Sequence, residues 1–355
     1  MPVLDFQSTY ILMAIMEEVI PETFFFKDRY FPTEAGDIFN ADKVLTEYRK
    51  GDRRMAAFVS SRIGDIPVER RGFEIHEYQP SRIAPSRMLT IDELNKRGFG
   101  EAIYPGSDEA ERAARLIRDD LQTLEQRIKR REEWMSAETM INNACTMQEY
   151  VDAKTKGDKL YVQFYEDTSD HVYIVANMWN SEQGNFYGDV KQMCKMLSNR
   201  GLPAADLVLG TQSAEAVLDI PKVRELLDKN LAINFGEINQ TIEYPGVTRM
   251  GTLNFGGHKL TLWEADESYE DENGQNKSYF PADSAMVTFP KCGHMMYGRI
   301  TQMNPQKEFV TIAAQRVTKF VADEDKETRK LRLSSRPLAA PKAYSPYIYA
   351  AKVVG

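Results

Sequence analysis

SDEAERAARLIRDDLQTLEQRIKRREEWMSAETMINNA, residues 107–144, decides the fold class of this chain. Ala110, Ala114, Ile117, Leu121, Leu124, Ile128 and Met135 follow a three-four alternation and share one helical face, with Arg131 the one intruder and Lys129 off the stripe. Gly106 breaks the chain before it, Ser107 can cap it, and Asp108, Glu109 and Glu111 suit the positive end of a helix dipole. Neither Gly nor Pro interrupts before Gly157. At 1.5 Å per residue the helix runs to roughly 50 Å. The alternative is a coiled-coil seam, but it would be short and would contain Arg131. A long helix laid across a sheet is the expectation.

N-terminal to the helix, residues 51–92 are arginine-rich. Met55 to Val59 read as a strand, and Phe73 to Tyr78 alternates on a period of two with one slip. Gly64, Pro67 and Gly72 lie between them, and Pro80 and Pro85 follow. A long two-stranded hairpin cannot bury a core of its own, so it must lie against another surface. Residues 1–50 begin with a short amphipathic helix candidate built on Ile11, Leu12, Ile15, Met16 and Val19, capped by Ser8 or Thr9 and stopped by Pro21. Phe24-Phe25-Phe26 then stands beside Lys27-Asp28-Arg29-Tyr30-Phe31. So aromatic a cluster docks either on its own core or on a neighbouring subunit.

C-terminal to the helix, residues 146–165 read as strands, with Leu160 to Tyr165 following a turn at Lys156-Gly157-Asp158. A mixed region follows: a helix near Tyr187–Asn199, a strand at Asp206–Leu209, and a helix from Ser213 that Pro221 interrupts before it resumes through Val223–Leu227. Thr252–Phe255 and Lys259–Trp263 flank Gly256-Gly257, a plausible hairpin turn. Asp266 to Lys277 reads as an acidic loop and Ala285 to Phe289 as a buried strand. Leu331-Arg332-Leu333 and Tyr347-Ile348-Tyr349 are strands around a proline-rich stretch holding Pro337, Pro341 and Pro346. No internal repeat is evident.

The 355 residues allow two domains, or one with extensions. Apolar residues at 42% and charged residues at 28% are globular proportions, which sets disorder aside. A formal net charge of −8 argues against a dedicated nucleic-acid binder. Cys145, Cys194 and Cys292 are far apart, as thiols in a reducing compartment would be. Pro2 and Asp5 stand where a signal peptide would carry basic residues, and no apolar run approaches a membrane span. A soluble protein made inside the cell is expected.

No motif of catalytic chemistry emerges. Glycine-rich nucleotide loops, the Gly-x-Ser-x-Gly elbow and His-Glu-x-x-His are missing from the sequence, and Gly98-Phe99-Gly100 reads as a loop. His76, His171, His258 and His294 are widely separated. Cys292-Gly-His294 lacks further ligands nearby and reads as an ordinary loop. Glu132-Glu133 and Asp119-Asp120 occupy adjacent helix positions, which do not face one another, and read as solvated charges.

Several stretches carry a resemblance: Phe24 to Phe31; Ile66-Pro67-Val68-Glu69-Arg70-Arg71-Gly72 through Ile83-Ala84-Pro85; and the charged helix. Tyr279-Phe280-Pro281-Ala282-Asp283-Ser284-Ala285-Met286-Val287 and Ser335-Arg336-Pro337-Leu338 to Tyr347-Ile348 complete them. In this order they resemble the lambda-like tailed-phage major capsid (coat) proteins, which have the Hong Kong 97 capsid fold. The resemblance implies an α+β fold with an N-terminal arm (1–50), an extended E-loop hairpin (51–92), a P-domain (93–175 and 326–355) containing the spine helix 107–144, and an inserted α/β A-domain (176–325).

It also implies a subunit that self-assembles into hexamers and pentamers of an icosahedral head. The head encloses double-stranded DNA without sequence-specific binding, and a procapsid forms first and expands. A scaffolding protein, a portal and a decoration protein are the implied partners. The implied places are the virion and, during assembly, the host cytoplasm; no enzyme activity, cofactor, metal or membrane is implied. Some members carry a long helical scaffolding segment before the arm and this sequence does not, so a scaffold would be a separate protein or a removed segment. An encapsulin-type nanocompartment subunit, or an α/β enzyme with an oligomerisation arm, are the competing readings. Arg53, Arg54, Arg70, Arg71, Arg82 and Arg87 lie in a segment too thin for a core, so contact between subunits is expected of them; a guanidinium fork holds carboxylates bidentately.

Overall fold

The computed structural model of the chain describes residues 24–41, 44–48, 74–90, 109–151, 155–164, 169–221, 223, 244–304, 307–323 and 328–355. The long helix α1 runs Glu109–Asn142. It ends slightly before the expected 144, because Asn143 turns to a left-handed φ of 52°, a conformation Asn tolerates at helix ends. The strand Ala144–Tyr150 starts at once.

The stripe of α1 lies on sheets of its own chain, not on a second helix. Ile117, Leu121, Leu124 and Ile128 pack on Leu331 and Leu333. These leucines belong to a three-stranded antiparallel sheet of Ser86–Thr90, Thr328–Ser334 and Val317–Asp323. Met135, Ala137 and Met140 enter a larger core with the paired strands Gly293–Tyr297 and Pro337–Pro341. Each buried Leu, Ile or Met side chain among these contributes about 1.5–3 kcal/mol. Pro337 and Pro341 stand at the two ends of their ladder, where a missing N–H does least harm.

A second unit is a five-stranded sheet in the order Ile348–Ala350, Ala285–Thr288, Asp206–Gly210, His258–Ala265, Val247–Phe255. Asp206–Gly210 runs parallel to His258–Ala265 and antiparallel to Ala285–Thr288. Leu207 and Leu209 pack against α2 (Phe186–Asn199) and α3 (Thr211–Asp219) through Val190, Met193, Leu197 and Val217. Val208, Trp263 and Met286 face the other way, into the core shared with α1. Burial on both faces is why Leu207-Val208-Leu209 is a continuous apolar run after Asp206. The hairpin turn at Gly256-Gly257 is present, both residues having positive φ of 61° and 100°, as a two-residue turn of this hand requires.

Several expectations need correction. Lys156-Gly157-Asp158 is not a turn but the start of the strand Lys156–Gln163, which pairs with Ala144–Tyr150. Asp266 to Lys277 is not a simple loop: Ser268–Glu270 and Asn276–Ser278 form a small ribbon. Its turn is held by Asp271 Oδ1, which accepts from the amides of Asn273 at 2.8 Å and Gln275 at 3.0 Å. The loop reading of Cys292-Gly-His294 holds for Cys292, at the bend before the strand Gly293–Tyr297, but not for His294, which lies in that strand.

Glu74–Tyr78 pairs antiparallel with Val44–Tyr48, a stretch assigned to the arm. The strand expected at Met55–Val59, the helix candidate near Ile11 and the helical continuation Val223–Leu227 past Val223 lie outside the described residues. Strand pairing also crosses the domain boundary expected at 325. Val317–Asp323 pairs with Thr328–Ser334 beneath α1, and Ile348–Ala350 joins the five-stranded sheet.

Candidate functional site

Residues Phe24 to Phe31 form an aromatic latch. A wide π-helical turn, Phe26–Tyr30, turns Phe25, Phe26, Tyr30 and Phe31 inward, each at most 1% exposed. Phe25 stands edge-on to Tyr30 at 5.4 Å and to Tyr244 at 5.3 Å, and lies 5.4 Å from Trp263. Phe26 stacks on Phe280 at 6.1 Å. Phe31 fills the place a side chain at 293 would need: a Cβ on Gly293 would sit 2.3 Å from its ring. Of the two open docking surfaces, the latch takes its own core.

Two buried carboxylates anchor it. The oxygens of Glu133 on α1 accept from the amides of Phe26 at 2.6 Å and Lys27 at 2.7 Å. Burial first, then the charge of Glu267, push the Glu133 carboxyl up to about 8, while those two amides pull it back. Asp206, at the start of the central strand, receives both arms of Arg29, Nε and Nη2 each at 2.8 Å. The same carboxylate accepts from Tyr30 at 3.2 Å and the Trp263 indole at 3.3 Å. Arg29 also lies 4.7 Å over the Trp263 ring. The latch thereby ties α1 to the five-stranded sheet.

The reading of the helix acids as solvated is overturned for three of the four. Glu132 and Glu133 are 0% exposed and Asp120 is buried, whereas Asp119 is exposed. Glu132 sits four residues after Ile128, in register with the stripe, so the charge that intrudes on the apolar face is Glu132. Arg131 turns outward to Glu272 at 2.5 Å. Arg316 neutralises Glu132 from across the fold. Adjacent helix positions point about 100° apart, and Glu132 and Glu133 accordingly hold different segments.

Of the arginines singled out, Arg82 and Arg87 are described. Arg82 is exposed and donates Nη2–H to Ser334 Oγ at 2.8 Å. Arg87 donates to Asp120 at 2.5 Å with its side chain still 49% exposed. Arg87 belongs to the edge strand Ser86–Thr90 of the three-stranded sheet, and Arg82 lies just before that strand. Arg53, Arg54, Arg70 and Arg71 lie outside the described residues. The anchors Arg29, Glu133, Asp206 and Arg316 escaped the sequence reading. One signal was available for the neighbouring Glu132, a charge at a stripe position.

Cys292 and His294 diverge, Sγ lying 4.0 Å from the Tyr30 carbonyl and Nδ1 lying 2.9 Å from Asp37. Among the described residues no cluster of His, Cys, Asp or Glu is arranged to hold a metal, and no helix is long and apolar enough to cross a membrane. A cavity of about 820 Å³ beside α2 and α3 has Glu215 and Asp219 among its lining carboxylates, and no His, Cys, Lys or Arg among the described residues lines it.

A long helix on a three-stranded sheet, with a five-stranded sheet beside it, is an architecture that other proteins share. The chain belongs to the Phage major capsid protein E family, whose pattern it matches over residues 8–351. It is thus a structural component of the phage head shell and the virion, not an enzyme. Its fold matches a prophage capsid protein of E. coli CFT073 with a TM-score of 0.65 at 16% identity, over 97% of this chain and 98% of that one. A phage-related protein of Bordetella bronchiseptica RB50 matches with a TM-score of 0.54 at 12% identity, over 97% of each chain. The fold is of the Hong Kong 97 capsid type, α+β throughout. No curated protein sequence matches the chain.

Proposed function

We propose that the chain builds the head shell as hexamers and pentamers enclosing double-stranded DNA, first as a procapsid that later expands. In this reading a separate scaffolding protein and a portal take part in assembly in the host cytoplasm, and a decoration protein joins the finished head. The inserted unit around the five-stranded sheet acts as the A-domain, and α1 with the sheets beneath it as the P-domain.

One observation carries the part played by the arginines. The ribbon of Val44–Tyr48 and Glu74–Tyr78 closes with Tyr48 opposite Glu74. Everything between those residues leaves and returns at one point, and Arg53, Arg54, Arg70 and Arg71 lie there in sequence. With Arg82 and Arg87 they form the E-loop contact set between subunits. Interlocking contacts repeated around a shell sum to stability although each is weak.

The experiment replaces Arg70 and Arg71 with glutamate. The subunit's circular dichroism and melting stay near wild type, and shells give way to loose capsomers in sedimentation. Stable shells of normal appearance from the double variant would show these arginines to be solvated surface charge.

A further inference from the structure

The three-stranded sheet has two faces of opposite character. Leu331, Leu333 and Phe320 point toward α1. Strand alternation then sends Lys330 and Arg332, with Lys319 and Val321 of the neighbouring strand, to the other face. Lys319 is the register partner of Arg332, and Val321 of Lys330. Met88 pairs with Lys330 from the third strand and is 60% exposed; Val321 is 43% exposed. Arg82 reaches the same region through Ser334.

Like charges directly opposite on a sheet are destabilising, and nothing within the described chain relieves these. Arg82, Lys319 and Arg332 have no carboxylate partner among the described residues. The Nε of Arg332 is buried without a hydrogen-bond acceptor. Burial first, then Arg332 and Arg82, pull Lys319 below the ordinary lysine range. The acid on this face, Asp323, stands at the far end opposite Thr328 and is not among the charges acting on Lys319. A half-buried cation without an anion is an incomplete site.

We propose that this face is a docking surface for a second copy of the chain, with Arg332, Lys319 and Arg82 receiving that copy's carboxylates and Met88 and Val321 supplying the apolar contact. The complementarity is in the composition: Asp and Glu number 53 against 45 Lys and Arg, so a copy presents net negative charge. Arginine in the half-buried position suits a carboxylate because its planar fork binds bidentately. The inference rests on the shell-building reading, and it extends the contact set from Arg82 to Lys319 and Arg332, which lie outside the E-loop span.

The test is the double variant Lys319→Gln with Arg332→Gln, expressed as the full chain under conditions where wild type yields shells. Removing opposed cations leaves the subunit's melting temperature unchanged or raised. The concentration needed for shell formation rises by roughly tenfold or more, and the salt sensitivity of assembly weakens. Lys319→Met, which keeps the apolar stem, gives an intermediate effect and serves if the double variant misfolds. Shells formed at wild-type concentration with wild-type salt response would overturn the proposal. Normal shells that fail only to retain DNA would overturn it too, assigning the face to phosphates. A wild-type chain that forms no shells would instead count against the shell reading itself.

Discussion

Arg316 grips Glu132 with two parallel contacts, Nη1 to Oε1 at 2.8 Å and Nη2 to Oε2 at 2.9 Å. Its Nε reaches Glu125 at 2.6 Å, and the Tyr297 hydroxyl donates to Glu132 at 3.0 Å. A residue at the entry to the three-stranded sheet is thereby fixed to the middle of α1, where a carboxylate interrupts the apolar stripe.

Breaking this pair is costly because it strands a buried charge. Arg316→Met is expected to destabilise the subunit by about 3–5 kcal/mol in urea unfolding. Combining it with Glu132→Met recovers much of that loss, since two apolar side chains replace the pair. A double variant no more stable than Arg316→Met would refute the assignment.

The stripe itself is tested at Leu121, which is 0% exposed. Leu121→Asp buries an unpaired carboxylate and should abolish folding. Lys129 is off the stripe but half-buried and close to Glu125 and Asp28, so reversing it adds repulsion. Exposed Arg127 is the better control: Arg127→Glu changes stability by about 0.5 kcal/mol or less. Equal helicity for Leu121→Asp and wild type would contradict the packing.

The latch belongs to the subunit's own core. Phe25→Ala is therefore expected to cost about 3–5 kcal/mol, measured on unassembled subunits. Phe309, 76% exposed, tolerates the same change within about 0.5 kcal/mol. A Phe25→Ala subunit of wild-type stability that fails only in assembly would place the latch between subunits instead.

Glu133 makes the latch pH-dependent. Its folded carboxyl titrates at about 8, above the ordinary carboxylate value of 4.5, so the folded state holds the proton more tightly. The contribution is therefore full below the unfolded value and is lost as pH rises toward 8, with a slope of at most about 1.4 kcal/mol per pH unit. Glu133→Gln removes that slope. Melting curves of both proteins from pH 5 to pH 8 should show wild type losing stability relative to Glu133→Gln as pH rises; parallel curves would refute the protonation account.

The parts legible in the sequence were those whose pattern is local. The stripe of α1 follows from spacing alone, and the hairpin around Gly256-Gly257 from its glycines. Partners far apart in the chain were not legible. Asp206 receives Arg29 across 177 positions and Glu132 receives Arg316 across 184, and no local rule pairs them. Phe24-Phe25-Phe26 announced that it would be buried without saying against what. The ribbon at Ser268–Ser278 was missed because its side chains are mostly exposed, so it lacks the apolar alternation by which a strand is recognised.

The central claim, a subunit that closes an icosahedral shell of hexamers and pentamers, is met most directly by electron microscopy of particles from cells expressing the full chain with its companion head proteins. The account predicts closed particles whose reconstruction shows five-fold and six-fold capsomers, α1 lying along the shell and the five-stranded unit at each capsomer centre. A chain that stays a dispersed 40.6 kDa subunit under those conditions, or particles lacking either capsomer, would contradict it.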